Sequence, residues 1–359
     1  MLVAGLNGVE RRLPEGVPKG VAAIIERTLA AEPASLNTDW FGTMLVKGLL
    51  EWAPRGVPEA RAFARRWFEA HMASNALAPY SGNRSRTVRA GGIVITTYAG
   101  HFGLSFPCYA LAREGDARAR RVCREVAEII LHRTARNRLG MVMHDDHSDF
   151  TIPDVCYFVV TPLMMACDLE GEQGRVFRDQ AVYQLRTFLD VFLEKETGLT
   201  KTILYPQGLG KTYWTRATGW LLWALTGVLR YLPERDPEFA GFVRDLNVMA
   251  AGIARVQDSS GGLRVLLNDA ATPLETTGTA MCATGLHEAI RRGWIAASHR
   301  GTVEQAWNFV RARLAPDGGI TDAYTGWAVP AEKGVIEMDR RAMGWIPGFM
   351  LTAAAELTR

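Results

Sequence analysis

The sequence has almost no surplus of charge of either sign, no closely spaced cysteine pair, no convincing strand and no long uncharged apolar run, and each shortage removes a class of function. Its 41 Lys+Arg stand against 38 Asp+Glu, and no basic run carries interleaved aromatics; a nucleic-acid partner is therefore not expected. Cys108, Cys123, Cys156, Cys167 and Cys282 are scattered, odd in number and without a CxxC pair, so reduced core thiols are expected rather than a disulfide framework. No stretch reaches membrane-spanning length without charges, and the first dozen residues lack a basic segment ahead of an apolar one. The expectation is a cytoplasmic chain with no membrane partner. No Ser/Pro-rich linker interrupts the sequence, so a single domain is expected over 18–359, behind an irregular arm at 1–17.

What is present is helical. Periodicity and end signals predict helices near 18–32, 38–53, 58–73, 97–113, 116–136, 153–168, 173–195, 213–232, 236–257, 275–292, 299–314 and 341–357. The apolar runs Ile93–Thr97 and Leu263–Leu267 are short enough for loop hairpins or edges. After each even helix the connection is short; after most odd ones it is long and rich in Gly, Asn, Asp, Pro and aromatics, as at 74–96, 137–152, 196–212, 258–274 and 315–340. Short turns join antiparallel neighbours, so this alternation places every long loop at one end. Most even helices are apolar almost all round, whereas 116–136 and 173–195 carry charged stripes. An all-α (α/α)6 barrel follows, even helices inside and odd ones outside. An open helical solenoid ranks second, since no 34- or 40-residue signature recurs.

In that barrel the N-terminal ends of the even helices meet at the mouth, where the unusual residues collect: Asp39-Trp40, Tyr98-Ala-Gly-His101, Asp154, Trp214/Arg216/Trp220, Glu275 and Met343-Gly-Trp345. The stretch Tyr213-Trp-Thr-Arg-Ala-Thr-Gly-Trp220 places two indoles and a guanidinium on the first turns of one helix. An aromatic wall beside a fixed cation suits a flat, anionic, hydroxylated ligand. Its glycine-rich lead, Leu204 to Thr212, is expected to turn backbone N–H groups toward a cavity rather than toward a packed partner. Asp154 precedes a very apolar run, where low-dielectric walls raise a carboxyl toward general-acid values. Structural readings stand beside these: Asp39, Asp154 and Glu275 as helix caps or first-turn acids, both tryptophans as core, and His101 as a satisfied buried imidazole. The loop His144-Asp-Asp-His-Ser-Asp149 fits no zinc or EF-hand spacing and reads as polar and substrate-facing or solvated. Gly208-Leu-Gly-Lys-Thr212 is not a phosphate loop, because Tyr205 stands where a glycine is required. No metal or other cofactor is expected.

Four segments carry a resemblance: Ala99-Gly-His-Phe-Gly103; Asp154 with Val-Cys-Tyr-Phe-Val-Val-Thr-Pro162; Trp214-Thr-Arg-Ala-Thr-Gly-Trp220; and Leu274-Glu-Thr-Thr-Gly-Thr-Ala280. With Gly344-Trp-Ile-Pro-Gly348 they resemble the unsaturated glucuronyl and rhamnogalacturonyl hydrolases, glycoside hydrolase families 88 and 105, from about residue 38 onward. The resemblance implies an (α/α)6 barrel and exo-release of 4,5-unsaturated uronic acid from the non-reducing end of lyase-generated oligosaccharides. By position Asp154 is the acid that protonates C4 and then the base for the water that adds at C5. It also implies an oligosaccharide partner with a terminal uronic acid, substrate contacts from Trp40, His101, His144, Trp214, Arg216, Trp220, Glu275 and Trp345, and a monomer or homodimer.

Two departures stand against this. Where the family often has an acid before the glycine, this chain reads Ile95-Thr-Thr-Tyr98, and Thr200-Lys-Thr-Ile-Leu204 lacks the usual histidine. The scaffold likeness exceeds that of the active site. Three alternatives stay open: an exo-hydrolase of saturated glucuronides with a second carboxylate from Asp39, Asp149 or Glu275; an epimerase using His101 and His144; and a non-catalytic carbohydrate-binding protein.

Overall fold

The structure is a computed structural model that describes residues 2–4, 10–74, 85–339 and 346–358. Among the described residues it contains thirteen α-helices: α1 Lys19–Ala30, α2 Trp40–Leu50, α3 Glu59–Ala73, α4 Ser105–Arg113, α5 Ala117–His132, α6 Pro153–Glu170, α7 Arg175–Phe192, α8 Thr215–Leu229, α9 Phe239–Val256, α10 Thr276–Arg291, α11 Arg300–Arg311, α12 Ala328–Glu332 and α13 Ile346–Leu357.

The packing follows from which helices have a polar side to offer. In α8 every residue from Thr215 to Leu229 is buried, and α6, α10 and α13 are nearly as enclosed. A helix without a polar face needs neighbours on all sides. These helices form the inner ring: α2 packs on α4, α4 on α6, α6 on α8, α8 on α10, α10 on α13, and α13 returns to α2. By contrast α5 buries only Ala119, Val122, Cys123, Val126, Ala127, Ile129 and Ile130, one stripe at helical spacing, and it lies outside against α4 and α6. The other outer helices repeat that pattern, α1 against α13 and α2, α3 against α2 and α4, α7 against α6 and α8, α9 against α8, α11 against α10. The fold is the expected (α/α)6 barrel.

The long connections carry short antiparallel pairs. Thr87–Ala90 pairs with Ile93–Thr96, Leu204–Tyr205 with Gly208–Leu209, Leu263–Arg264 with Leu274–Glu275, and Ala323–Tyr324 with Met338–Asp339. The two apolar runs singled out above are therefore loop hairpin strands. Within the N-terminal arm, Leu2–Ala4 pairs with Glu10–Arg12.

Two boundaries differ from expectation by more than three residues, and one short helix is additional. The fourth helix starts at Ser105, after a 3₁₀ turn over Ala99–Leu104. Gly100 explains part of this: a Cβ there would lie 2.5 Å from the Tyr98 ring and 2.8 Å from Trp40, so the glycine lets those rings close on the backbone. The fifth helix ends at His132 rather than 136. Finally, α12 sits inside the 315–340 connection, at five residues too short to show a period. Residues 341–345, where the last helix was expected to begin, lie outside the described residues. All five cysteines are free, four of them buried and Cys167 partly so, and no described helix is long and apolar enough to cross a membrane.

Candidate active site

The mouth of the barrel opens into a cavity of about 910 Å³, at the upper end of the range for small-molecule sites. Its wall is aromatic: Trp40 from the start of α2, Tyr98 from the turn before α4, Phe158 from α6, Trp220 from α8, and Phe150 and Trp327 from the connections. Trp220 lies 5.3 Å from Tyr157, 5.1 Å from Phe158 and 6.4 Å from Trp40 between ring centroids, so the wall is fixed by ring-on-ring packing.

Three carboxyls line the cavity, Asp145 and Asp149 from a connection and Asp154 from a helix. Asp154 is in the first turn of α6, after Pro153 at the helix start, and is only partly accessible from the cavity it lines. Its Oδ1 is enclosed and has no hydrogen-bond partner among the described residues. Burial raises its pKa from the ordinary 3.8 to about 6, against the opposing pull of Arg216, His144 and a hydrogen bond from Trp220. Desolvation disfavours the charged form, and here it prevails over a nearby cation. The result is an acid that holds its proton to near-neutral pH and still ionises within reach of a physiological cycle.

Arg216, two residues into α8, is buried and lines the same cavity. Its Nη1 donates to the Tyr324 carbonyl and its Nη2 to the Gly326 carbonyl, and its guanidinium carbon lies 4.2 Å from the centre of the Trp214 ring. Burial lowers its pKa to about 10, with Glu275 and Asp154 acting in the opposite direction, so it remains a cation at neutral pH. Glu275 is the N-cap of α10, accepting from the Thr277 N–H at 2.8 Å, the Gly278 N–H at 2.5 Å and the Thr277 hydroxyl at 2.7 Å. It is fully buried, its pKa raised by that burial. The charges thus run Glu275, Arg216, Asp154, with only the last two on the cavity wall.

The sequence candidates therefore divide. Trp40, His144, Asp154, Arg216 and Trp220 converge on the cavity. Trp214 does not: it is wholly buried behind the guanidinium it stacks on, because the residue before the first helical turn points into the loop packing while positions 216 and 220 face the mouth. Glu275 acts as a cap. His101 is likewise off the wall and fully buried, its Nδ1 2.8 Å from the Thr96 hydroxyl and its pKa lowered to about 4 by burial. An epimerase with His101 facing His144 has no support in this geometry, since Tyr98 lies against both rings, at 5.6 and 5.0 Å. Trp345 lies outside the described residues.

The glycine-rich lead into α8 is also corrected. Its N–H groups do meet a packed partner: the Glu332 carboxylate of α12 accepts from Lys211 N–H at 2.6 Å, from Thr212 N–H at 3.2 Å and from the Thr212 hydroxyl. The chain supplies its own anion there.

Tyr98, placed at the mouth by the sequence, is on the wall, and Trp327 and Phe150, not singled out there, join it. The Tyr98 ring faces His144. Trp327, 45% exposed, lies 6.3 Å from His144 in a stacked arrangement and 5.8 Å from Phe150. The signal was an indole in a long polar connection at the mouth. The loop 144–149 does face the cavity, through His144, Asp145, His147, Ser148 and Asp149. Asp145 accepts from His147 N–H, Ser148 N–H and the Ser148 hydroxyl, and lies 3.1 Å from His144 Nδ1. These bonds hold its pKa below the usual carboxylate range despite its partial burial. Of the three carboxylates considered as a second catalytic group, Asp149 lines the cavity; Asp39 caps α2 and Glu275 caps α10.

Comparisons with known proteins agree with the barrel. The family model described as Glycosyl Hydrolase Family 88 matches residues 24–359. An unsaturated rhamnogalacturonyl hydrolase of Bacillus subtilis (strain 168) is 25% identical over 249 residues, 66% of this chain and 69% of that protein. Among solved structures, a possible member of family 105 from Klebsiella pneumoniae has a TM-score of 0.79 at 19% identity, covering 94% of this chain and 92% of its own. The unsaturated glucuronyl hydrolase from Bacillus sp. GL1 has a TM-score of 0.66 at 15% identity, covering 95% and 94%. At such identities the structural likeness establishes the fold alone.

Proposed function

The chain belongs to glycoside hydrolase family 88, and from that premise we propose that this hydrolase releases a 4,5-unsaturated uronic acid from the non-reducing end of lyase-generated oligosaccharides. Membership of a hydrolase family sets aside the non-catalytic binding reading. The observation that carries the proposal is Asp154, a carboxyl whose pKa burial raises to about 6 on an aromatic cavity wall beside a cation. An enol ether needs one group to give a proton to carbon and then take one from water, and a carboxyl with a pKa near the working pH does both.

In this scheme the Asp154 carboxyl delivers its proton to C4, the C4=C5 electrons form the new C–H bond, and positive charge develops at C5 and the ring oxygen. The Asp154 carboxylate then accepts a proton from the water that bonds to C5, which restores the acid. The C5 hemiketal opens to a ketone, C1 becomes a hemiacetal, and its collapse to an aldehyde frees the leaving sugar. Arg216 and His144 border the site of the substrate carboxylate, and Trp40 and Trp220 give the ring an apolar floor. With its Nη1 and Nη2 bound to backbone carbonyls, Arg216 acts chiefly as a fixed charge.

The test is loss of the unsaturated-uronide absorbance on a panel of lyase-generated oligosaccharides, for wild type and Asp154→Asn side by side. Bleaching by the wild type and none by the variant is expected. Cleavage of a saturated aryl glucuronide without bleaching would overturn the double-bond mechanism and turn attention to Asp149.

A further inference from the structure

Beside the main cavity lies a second cleft of about 270 Å³, formed by the 137–151 connection and the 204–209 hairpin. We propose that this cleft is a distal subsite, holding the second sugar on the leaving side of the scissile bond; this rests on the reading of the main cavity as the site of an exo-acting hydrolase.

Adjacency comes first. Asp149 and Phe150 line both spaces, so the cleft begins where the cavity wall ends at Phe150. Size agrees: the main cavity is large enough for the terminal uronide and the sugar attached to it, which puts the next residue at the cleft.

The walls are set in advance. Leu204 and Thr151 exchange both backbone hydrogen bonds at 2.9 Å, tying the two sides together. Asn137 Oδ1 accepts from Leu139 N–H at 2.9 Å and Met141 N–H at 3.1 Å, which fixes the turn above the cleft. With those polar groups engaged, the surface offered is mostly apolar, from Leu139, Tyr205 and Pro206, and Leu139 stays 42% exposed at the rim. An apolar and aromatic face of this kind accepts the C–H face of a pyranose, while ring hydroxyls stay in water. Arg138 at the exposed edge offers donors to a substituent of that sugar. The ligand class is therefore a neutral or acidic pyranose within an oligosaccharide, not a free monosaccharide.

The experiment compares initial rates on an unsaturated disaccharide and an unsaturated tetrasaccharide from the same polymer, for wild type, Tyr205→Ala and Tyr205→Phe. Wild type is expected to show the lower KM on the tetrasaccharide. Tyr205→Ala should raise that KM by roughly tenfold, as loss of an aromatic contact does, leaving the disaccharide constants unchanged, and Tyr205→Phe should keep the tetrasaccharide preference. Unchanged disaccharide turnover also reports that the variant folds. Equal constants for the two lengths in the wild type, or an equal loss on both in Tyr205→Ala, would overturn the subsite alone. No bleaching of either substrate by the wild type would overturn the hydrolase reading and the subsite together.

Discussion

Asp154 shows how much one side chain depends on its surroundings. Burial sets its pKa at about 6 against 3.8 in the unfolded chain, so the native state binds the extra proton between those values. The stability this contributes is complete below pH 3.8 and is lost as pH rises through 6, which leaves a penalty of about 3 kcal/mol at pH 8. Asp154→Asn, which cannot ionise, is therefore expected to unfold at higher denaturant concentration than wild type at pH 8 and to match it at pH 4, while having no activity. The free enzyme's kcat/KM should fall in the wild type above about pH 6 as the acid form disappears. Asp39, raised to about 6, acts on stability in the same direction, and His101, lowered to about 4, acts oppositely by destabilising the fold as pH falls. Both are present in wild type and variant, so their difference isolates Asp154. A variant no more stable at pH 8 than at pH 4, relative to wild type, would show that Asp154 is ordinarily ionised.

The segment from Ala323 to Val335 behaves as one element although it is mostly irregular. It carries Trp327 over the cavity mouth and is fastened to the start of α8 at two points: Arg216 to the Tyr324 and Gly326 carbonyls, and Glu332 to Lys211 and Thr212. Each fastening joins a charged group to backbone dipoles, the stronger class of hydrogen bond. Glu332→Ala removes one fastening without touching the cavity wall. Hydrogen exchange over 323–335 is expected to rise at least tenfold with α8 unaffected, and KM to rise as Trp327 loses its fixed place. Unchanged exchange would mean that Arg216 alone holds the segment. Neither fastening was legible beforehand, because partners 108 to 121 residues apart leave no local trace.

At the scale of the whole molecule, the barrel closes where α13 meets α2. A Cβ on Gly48 would lie 2.6 Å from the Gly348 carbonyl oxygen, and one on Gly348 would lie 2.8 Å from Leu45 N and Met44 O. The two backbones are in direct contact, and Trp52 Nε1 donating to Leu351 O and Arg55 Nε to Ala355 O, each at 3.1 Å, complete the seam. Gly48→Val must push the last inner helix off the first. An overpacking cost of about 1–3 kcal/mol is expected, read as a lower Tm, with the Asp154 environment kept in molecules that remain folded. An unchanged Tm would show that the seam has slack. Because the contact joins the first inner helix to the last, it also makes the barrel a fold of high sequence separation, which forms slowly relative to a bundle of local hairpins.

By itself the sequence determined the barrel, the alternation of inner and outer helices, and the place of Asp154, Arg216, Trp40 and Trp220 at one mouth. These follow from periodicity and from the lengths of connections, which are properties of neighbouring residues. It did not separate Trp214 from Trp220, or tell that Asp39 and Glu275 are caps while Asp149 faces the cavity. A carboxylate in a first turn reads the same whether it bonds its own helix or faces a substrate. Only the tertiary structure decided these, because facing a cavity depends on how loops from 85–151 and 315–339 fold over helix ends far from them in the chain. The acidity of Asp154 belongs to the same class, since desolvation is set by the walls of all the helices at once and not by the residues on either side.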